Sequence, residues 1–398
     1  MAMMSGTCFG NMLESKGVRV SGWAQMSYTH SSNNVTNLPG VTFNDRANSF
    51  LFQQFWVNIE KAIDTESNEV HGGFKVAFLA GSDYRFTLMR GIFNNQLKNT
   101  RSDFEEPNGF RQNLYGVDLP QFYASLWLPG VMGEGTEVRV GRMFEPNGFE
   151  SVEGPTAPLL SRDYDFTWAP PFFHVGIALL PKFNKNLSAF LMLANGNDVF
   201  FDGSDELRFV GNLIWQSDDG SDRFTIGTSL GRGKFNAGRP NGPAEGITTI
   251  GLAYEPFGRN NFNDFDMVYV RKWDDFFTTA TEFTYGYQQG VPAGATGSTS
   301  NFNGGSGTAD WWSITQYFIY NFTEQVGSIA RLEVFEDVQG SRTGFEGVYY
   351  AGTLGLQFRP TNSVMFRPEI RYDYNEESRP FEGKHGLFTA AADLIFKF

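Results

Sequence analysis

Charged side chains recur at alternate positions in two stretches of this chain, and the chemistry they suit is the handling of ions and polar solutes in water. Arg331 and Glu333 form a pair, and Arg367, Glu369, Arg371 and Asp373 form a run of four. Successive side chains of a strand point to opposite faces, so each set shares one face. Val364, Phe366, Pro368, Ile370, Tyr372 and Tyr374 make the other face of the second stretch apolar. An Arg turned towards lipid costs about 2 to 4 kcal/mol at the membrane midplane, and burying such charges unpaired is costlier still. The charged face is therefore expected to line a wet lumen, either as pore wall or as an internal salt-bridge network that stiffens the wall.

A second concentration of charge lies in the long segment Glu145 to Pro171. It places Glu145, Glu150, Glu153, Asp163 and Asp165 near Arg142 and Arg162. Folded into a lumen, such a loop narrows the pore and sets its selectivity, as charged rings do in channels. Packed outwards it is a surface loop, and both courses are open.

Bond-making chemistry finds little support, so no catalytic, cofactor-binding or metal residues are assigned. His30, His71, His174 and His385 lie far apart, without metal-ligand spacing. There is no Gly-x-Ser-x-Gly elbow, and Gly231-Arg232-Gly233-Lys234 is too short for a phosphate loop. Asp202 to Glu206 and Asp218 to Asp222 are acidic enough to attract Ca²⁺ but lack the twelve-residue loop ending in Glu, and they read as solvated turns. The single Cys8 permits neither an intramolecular disulfide nor a cysteine metal site.

The elements that must position these charges are strands. The last eleven residues put Phe388, Ala390, Ala392, Leu394, Phe396 and Phe398 on one face and Thr389, Asp393 and Lys397 on the other, with Ile395 breaking the polar side. Similar amphipathic runs occur at 18–29, 49–61, 71–82, 118–129, 136–145, 172–181, 185–196, 205–216, 222–234, 263–273, 277–289, 309–323, 326–337, 347–360, 363–376 and 386–398. These make sixteen. A further run, Ile247 to Glu255, breaks the even count a barrel needs and is assigned to a loop hairpin; eighteen strands would require one more. Many runs approach 12 residues, enough for a tilted strand to cross a bilayer. The long connections all follow odd-numbered strands and the tight turns follow even-numbered ones, which sorts them to opposite ends.

Composition agrees with lipid contact spread over alternate residues. Of 398 residues 41 are Phe and 16% are aromatic, yet the longest apolar stretches, Val175 to Leu180 and Ala189 to Ala194, are far below the roughly 18 to 20 residues of a spanning helix. A net charge of −13 argues against nucleic acid and favours cations in any interior the chain encloses.

Several stretches resemble the OmpL-like β-barrel porin-2 family. Glu14 to Trp23 is similar to its Gly-Trp opening. Gly72-Gly73-Phe74-Lys75 through Gly81-Ser82-Asp83 resembles its third strand, with Ser82 where Thr is usual. Leu119 to Ala124, Val140 to Glu150 and Phe366 to Asp373 follow it in order and spacing. The region Lys234 to Asn263 departs from the pattern. The resemblance implies an outer-membrane porin, without a defined substrate and without catalytic residues.

The expectation is an all-β chain: residues 1–16 as an N-terminal segment, then 17–398 as one transmembrane antiparallel up-and-down β-barrel of about sixteen strands with short periplasmic turns and long extracellular loops. Sixteen strands leave an aqueous interior. The expected function is passive diffusion of small hydrophilic solutes or ions with cation preference, in the cell outer membrane. Its partners would be outer-membrane lipid, the barrel-assembly machinery acting on the strand that ends at Phe398, and, by analogy, two further copies in a homotrimer. Met1 to Gly17 has no signal-peptide pattern, so a processed or truncated N-terminus is expected. The alternatives are a plugged barrel serving as a surface adhesin or envelope anchor, with Asp83 to Val117 as plug or binding loop, and a soluble carbohydrate-binding β-protein.

Overall fold

A computed structural model describes residues 13, 15–33, 38, 41–89, 91–93, 96, 113–200, 207–233, 262–292 and 306–398. Sixteen strands follow the alternating pattern: β1 Arg19–Ser31, β2 Ser49–Lys61, β3 His71–Gly81, β4 Gly116–Pro129, β5 Gly135–Phe144, β6 Phe173–Asn184, β7 Leu187–Ala194 and β8 Arg208–Gln216. The second half comprises β9 Asp222–Leu230, β10 Asn263–Lys272, β11 Phe277–Pro292, β12 Ser306–Asn321, β13 Val326–Asp337, β14 Gly347–Thr361, β15 Val364–Asn375 and β16 Gly386–Lys397. Each pairs antiparallel with its neighbours, and β1 pairs with β16 to close the barrel. Closure leaves no edge strand, as a lipid-embedded sheet requires. At the seam Gly22 and Phe398 exchange backbone hydrogen bonds of 2.9 Å in both directions.

All sixteen expected runs are strands, with ends displaced by a few residues. The largest single displacement is at β9, which ends four residues earlier than the pattern suggested, and β6, β8, β11 and β12 each have one end displaced by three. The expected hairpin Ile247 to Glu255 and the acidic turn Asp202 to Glu206 lie outside the described residues.

Outward side chains are mostly apolar, and aromatic residues gather at both ends. Tyr28, Phe50, Phe265, Tyr350 and Tyr374 stand exposed near the long loops, and Trp215, Trp273, Phe276, Tyr320 and Phe322 near the short turns. Two such girdles mark the interfaces of a bilayer.

The interior is more occupied than the strand number suggests, because three of the loops on the long-loop side fold back into it. The described residues of L1 (32–33, 38 and 41–48), of L2 (82–89, 91–93, 96 and 113–115) and of L3 (145–172) carry apolar side chains that would otherwise meet water. Phe43 of L1, Tyr84 and Phe86 of L2, and Val152, Tyr164 and Trp168 of L3 join one buried cluster with Trp56, Trp311, Phe335 and Tyr349 from the wall. Ile395, the residue that broke the polar face of the last strand, is fully buried in this cluster with Met365 and Trp23. Its apolar side chain faces inwards because the loops have made that part of the lumen dry. L2 begins with a short helix, α1 (Tyr84–Thr87), and L3 contains a second, α2 (Tyr164–Trp168).

Candidate functional site

L3 leaves β5 and crosses the lumen, and a loop in that position has backbone groups with no sheet or helix to satisfy them. Buried peptide groups need partners, and here the inward charged face of β13 to β15 supplies them. Glu369 accepts the N–H groups of Leu160 and Ser161 at 2.8 and 3.0 Å, and Glu333 accepts that of Tyr164 at 2.9 Å. In the other direction Arg331 donates to the Ser161 carbonyl (2.7 Å), Arg367 to that of Ala157 (2.6 Å) and Arg371 to that of Arg162 (2.8 Å). Gln357 donates to Pro158.

The same wall charges pair with one another, so burial does not strand them. Arg331 lies 2.7 Å from Glu333, Arg371 is 2.8 Å from Asp373 and 3.2 Å from Glu333, and Arg367 is paired with Asp393 of β16. All six, Arg331, Glu333, Arg367, Glu369, Arg371 and Asp373, point inwards and are buried beneath L3.

The charges of L3 divide between this wall and other places. Glu150 accepts from Arg331 (2.6 Å) and from the Tyr317 hydroxyl (3.0 Å). Arg162 donates to the Ser151 and Leu160 carbonyls and lies over the Phe43 ring. Asp163 caps α2, accepting from Phe166 N at 2.6 Å, and also receives the Tyr317 hydroxyl. Asp165 receives the Ser313 hydroxyl of β12. Burial pushes the carboxyls of Asp163 and Asp165 above the usual range, and like charges nearby add to it; burial also lowers Arg162.

Arg142, Glu145 and Glu153 are not part of that assembly. Arg142 makes two 2.9 Å contacts with Asp118 of β4 and donates to the Thr87 carbonyl of L2. Glu145 receives its own contact from His174 at 2.6 Å. Glu153 faces Lys75 at 3.7 Å with both side chains partly open to water, and burial raises its carboxyl despite the lysine.

Sequence reasoning missed the acidic wall opposite, formed by Asp264 and Asp266 of β10 and Glu282 of β11. Asp266 accepts from Gly148 N (3.2 Å) and Glu282 from Phe149 N (2.9 Å), so this side also grips L3. Alternation of Asp264 and Asp266 around Phe265 was the available signal. Gly227 of β9 is a further seat: a Cβ there would collide with the Asn147 amide of L3.

Between the start of L3 at Pro146 and the wall of β5 to β8 there remains a cavity of about 380 Å³, reaching the short-turn end and lined by Glu137, Leu180, Ser188, Phe190 and Asn212. Around the same end Glu60, Lys75, Arg139 and Glu153 stay partly exposed.

A closed sixteen-stranded barrel with an apolar outer face, two aromatic girdles and a long loop folded into a polar interior is the architecture of an outer-membrane porin. The chain belongs to the family described as Putative beta-barrel porin-2, OmpL-like, whose model matches residues 17–398. No curated protein sequence matches it. Among solved structures it is similar to an anion-selective porin from Comamonas acidovorans (TM-score 0.59, 9% identity, 96% of this chain and 99% of that one). It is also similar to the outer membrane channel DcaP of Acinetobacter baumannii (TM-score 0.55, 7% identity, 96% and 97%) and to a loop L8 deletion mutant of OmpT from Vibrio cholerae (TM-score 0.52, 8% identity, 96% and 99%). At these identities the likeness is one of fold.

Proposed function

We propose that this porin is a narrow passive channel for small hydrophilic solutes and ions, with preference for cations. The observation that carries the reading is the course of L3: it crosses the lumen, is held on both sides, and leaves space along β5 to β8. Solutes then diffuse down their gradients through a charged constriction, and no bond is made or broken. Support for cation preference comes from the net charge of −13, since at the water-accessible mouth Glu60, Glu137 and Glu153 are matched by Arg19, Arg139 and Lys75. Assembly into the outer membrane would proceed through the terminal strand that ends at Phe398.

Planar-bilayer conductance of the folded protein under a salt gradient tests this. The expected result is discrete open-channel steps with a reversal potential of cation-selective sign, reduced in Glu153→Gln. A reversal potential of the opposite sign overturns the preference. Because burial raises the Glu153 carboxyl, its charge is lost at higher pH than that of an ordinary glutamate, so cation preference should decline early as pH falls. A second reading, a plugged barrel acting as adhesin or envelope anchor, is favoured by the aromatic cluster that packs L1, L2 and L3 inside the lumen. A folded barrel without conductance steps selects it.

A further inference from the structure

The basic half of the lumen is neutralised by carboxylates at short range, whereas among the described residues Asp165, Asp266 and Glu282 of the acidic half have no basic side chain within ion-pair distance. Asp165 of α2, Asp266 of β10 and Glu282 of β11 each bring one carboxylate oxygen within 4.8 Å of the other two, all three residues being buried. Among the described residues no ion pair joins any of them, or Asp264, to a basic side chain. Their hydrogen bonds come from neutral donors: Ser313 to Asp165, Thr284 and Gly148 N to Asp266, and Phe149 N to Glu282.

Three further observations point to a missing positive partner. One oxygen of Asp165 has no hydrogen bond at all. Asp264, on the same inward face of β10 and fully buried, has neither carboxylate oxygen bonded. The amide of Asn147, only 7% exposed, likewise has neither its oxygen nor its nitrogen bonded. Asn147, Asp165 and Glu282 line a cavity of about 50 Å³ together with Glu145 and Glu150. That volume leaves room for an ion with water beside it.

We infer that Asp165, Asp266 and Glu282 form a binding site for a hard divalent cation of the Ca²⁺ class, which fastens L3 to β10 and β11. The ligand set is all oxygen, which selects Ca²⁺ or Mg²⁺ over softer metals. Oxygens about 2.3 to 2.6 Å from a Ca²⁺ ion are separated from one another by up to about 5 Å, which the three carboxylates satisfy. The hydroxyls of Thr284 and Ser313 and water in the cavity are on hand to complete a flexible shell. A cation there does for the acidic wall what Arg331 and Arg371 do for the opposite one.

The test uses the full chain folded in detergent free of lipopolysaccharide, stripped with EDTA and titrated with CaCl₂ at pH 7.5 by calorimetry, with the thermal unfolding midpoint followed in parallel. The expected result is one Ca²⁺ per chain and a midpoint that rises with Ca²⁺. Asp165→Asn, which keeps an oxygen for Ser313, should weaken binding about tenfold or more, since affinity follows ligand charge. The pair Asp165→Asn and Glu282→Gln should abolish it, and Asp218→Asn with Asp219→Asn at the exposed turn should leave it intact. Absence of Ca²⁺ binding by the unaltered chain overturns the inference, as protons then neutralise the cluster. So does undiminished binding in Asp165→Asn, or loss of binding on changing only the exposed turn. If the double variant fails to fold, the unaltered chain and Asp165→Asn decide between these outcomes.

Discussion

Replacing Glu369 by alanine should free the centre of L3 while leaving the barrel wall intact. The carboxylate accepts two backbone N–H groups, from Leu160 and Ser161, and all three groups are buried. Hydrogen bonds to a charged acceptor contribute about 1.5 to 3 kcal/mol each, so the pair holds this segment by about 3 to 6 kcal/mol. Neighbouring anchors remain, with Arg367 on Ala157, Arg331 on Ser161 and Glu333 on Tyr164, and they keep the segment near its place. Taking the lower bound, a loss of about 3 kcal/mol raises the population of the locally open segment about a hundredfold, at 1.4 kcal/mol per factor of ten. Native-state hydrogen exchange reads this directly: the amides of Leu160 and Ser161 should exchange about a hundredfold faster in Glu369→Ala, with strand amides of β15 little changed. Glu369→Gln, which keeps an uncharged acceptor, should fall between. Exchange at both amides unchanged in the alanine variant, with the unfolding midpoint also unchanged, would refute the view that the charged wall holds the loop.

Two other perturbations address L2 and the far side of L3. Burial pushes Asp83 up to about 7, against the lowering effects of Gln54, Arg162 and Arg85. Its proton is thus retained in the folded state and lost near pH 4 in the unfolded chain, so this contribution to stability is complete below about pH 4 and is lost as pH rises towards 7. Asp83→Asn should remove that slope and raise the unfolding midpoint relative to the unaltered chain at pH 8 but not at pH 4.5; equal differences at both would count against it. Gly227→Val drives a side chain into the Asn147 amide, an overpacking worth about 1 to 3 kcal/mol if that amide cannot swing aside, and should then raise protease cleavage at the start of L3; unchanged cleavage together with an unchanged unfolding midpoint would show that the amide moves away freely.

The barrel was legible because its signal is local. Alternation fixes which face a side chain takes within a strand, and it located β2 and β13 to the residue. Ends were less visible at β8 and β9, where the pattern ran on into neighbouring polar residues. The site was legible only in part, because its partners lie far apart in sequence. Glu369 and Leu160 are 209 positions apart, and Arg331 and Glu150 are 181 apart. Charge alternation announced an inward wall around Arg367, but nothing local says that its hydrogen bonds go to loop carbonyls. Arg142 illustrates the converse: adjacency in sequence to Glu145 suggested a shared site, while its partner is Asp118 on the neighbouring strand. Asp264 and Asp266 could have been found by the same alternation rule that singled out Arg367 to Asp373.

The seam between first and last strands also sets an order of events in time. Gln25 of β1 donates to Asp393 of β16, 368 positions later, and Asp393 in turn holds Arg367, which holds the Ala157 carbonyl of L3. Gly154 of L3 lies so close to Gln25 that a Cβ there would displace the Gln25 amide. The seat for this part of L3 is thus completed only when β16 has paired with β1. The contacts of L3 with β10, β11, β13 and β15 do not need the seam, whereas the stretch from Gly154 to Ala157 settles only once it has closed. Contacts of such long sequence separation form late. A nascent barrel with its seam still open would therefore have a wide, loose lumen, and the narrowing of the channel would be the final step of its maturation.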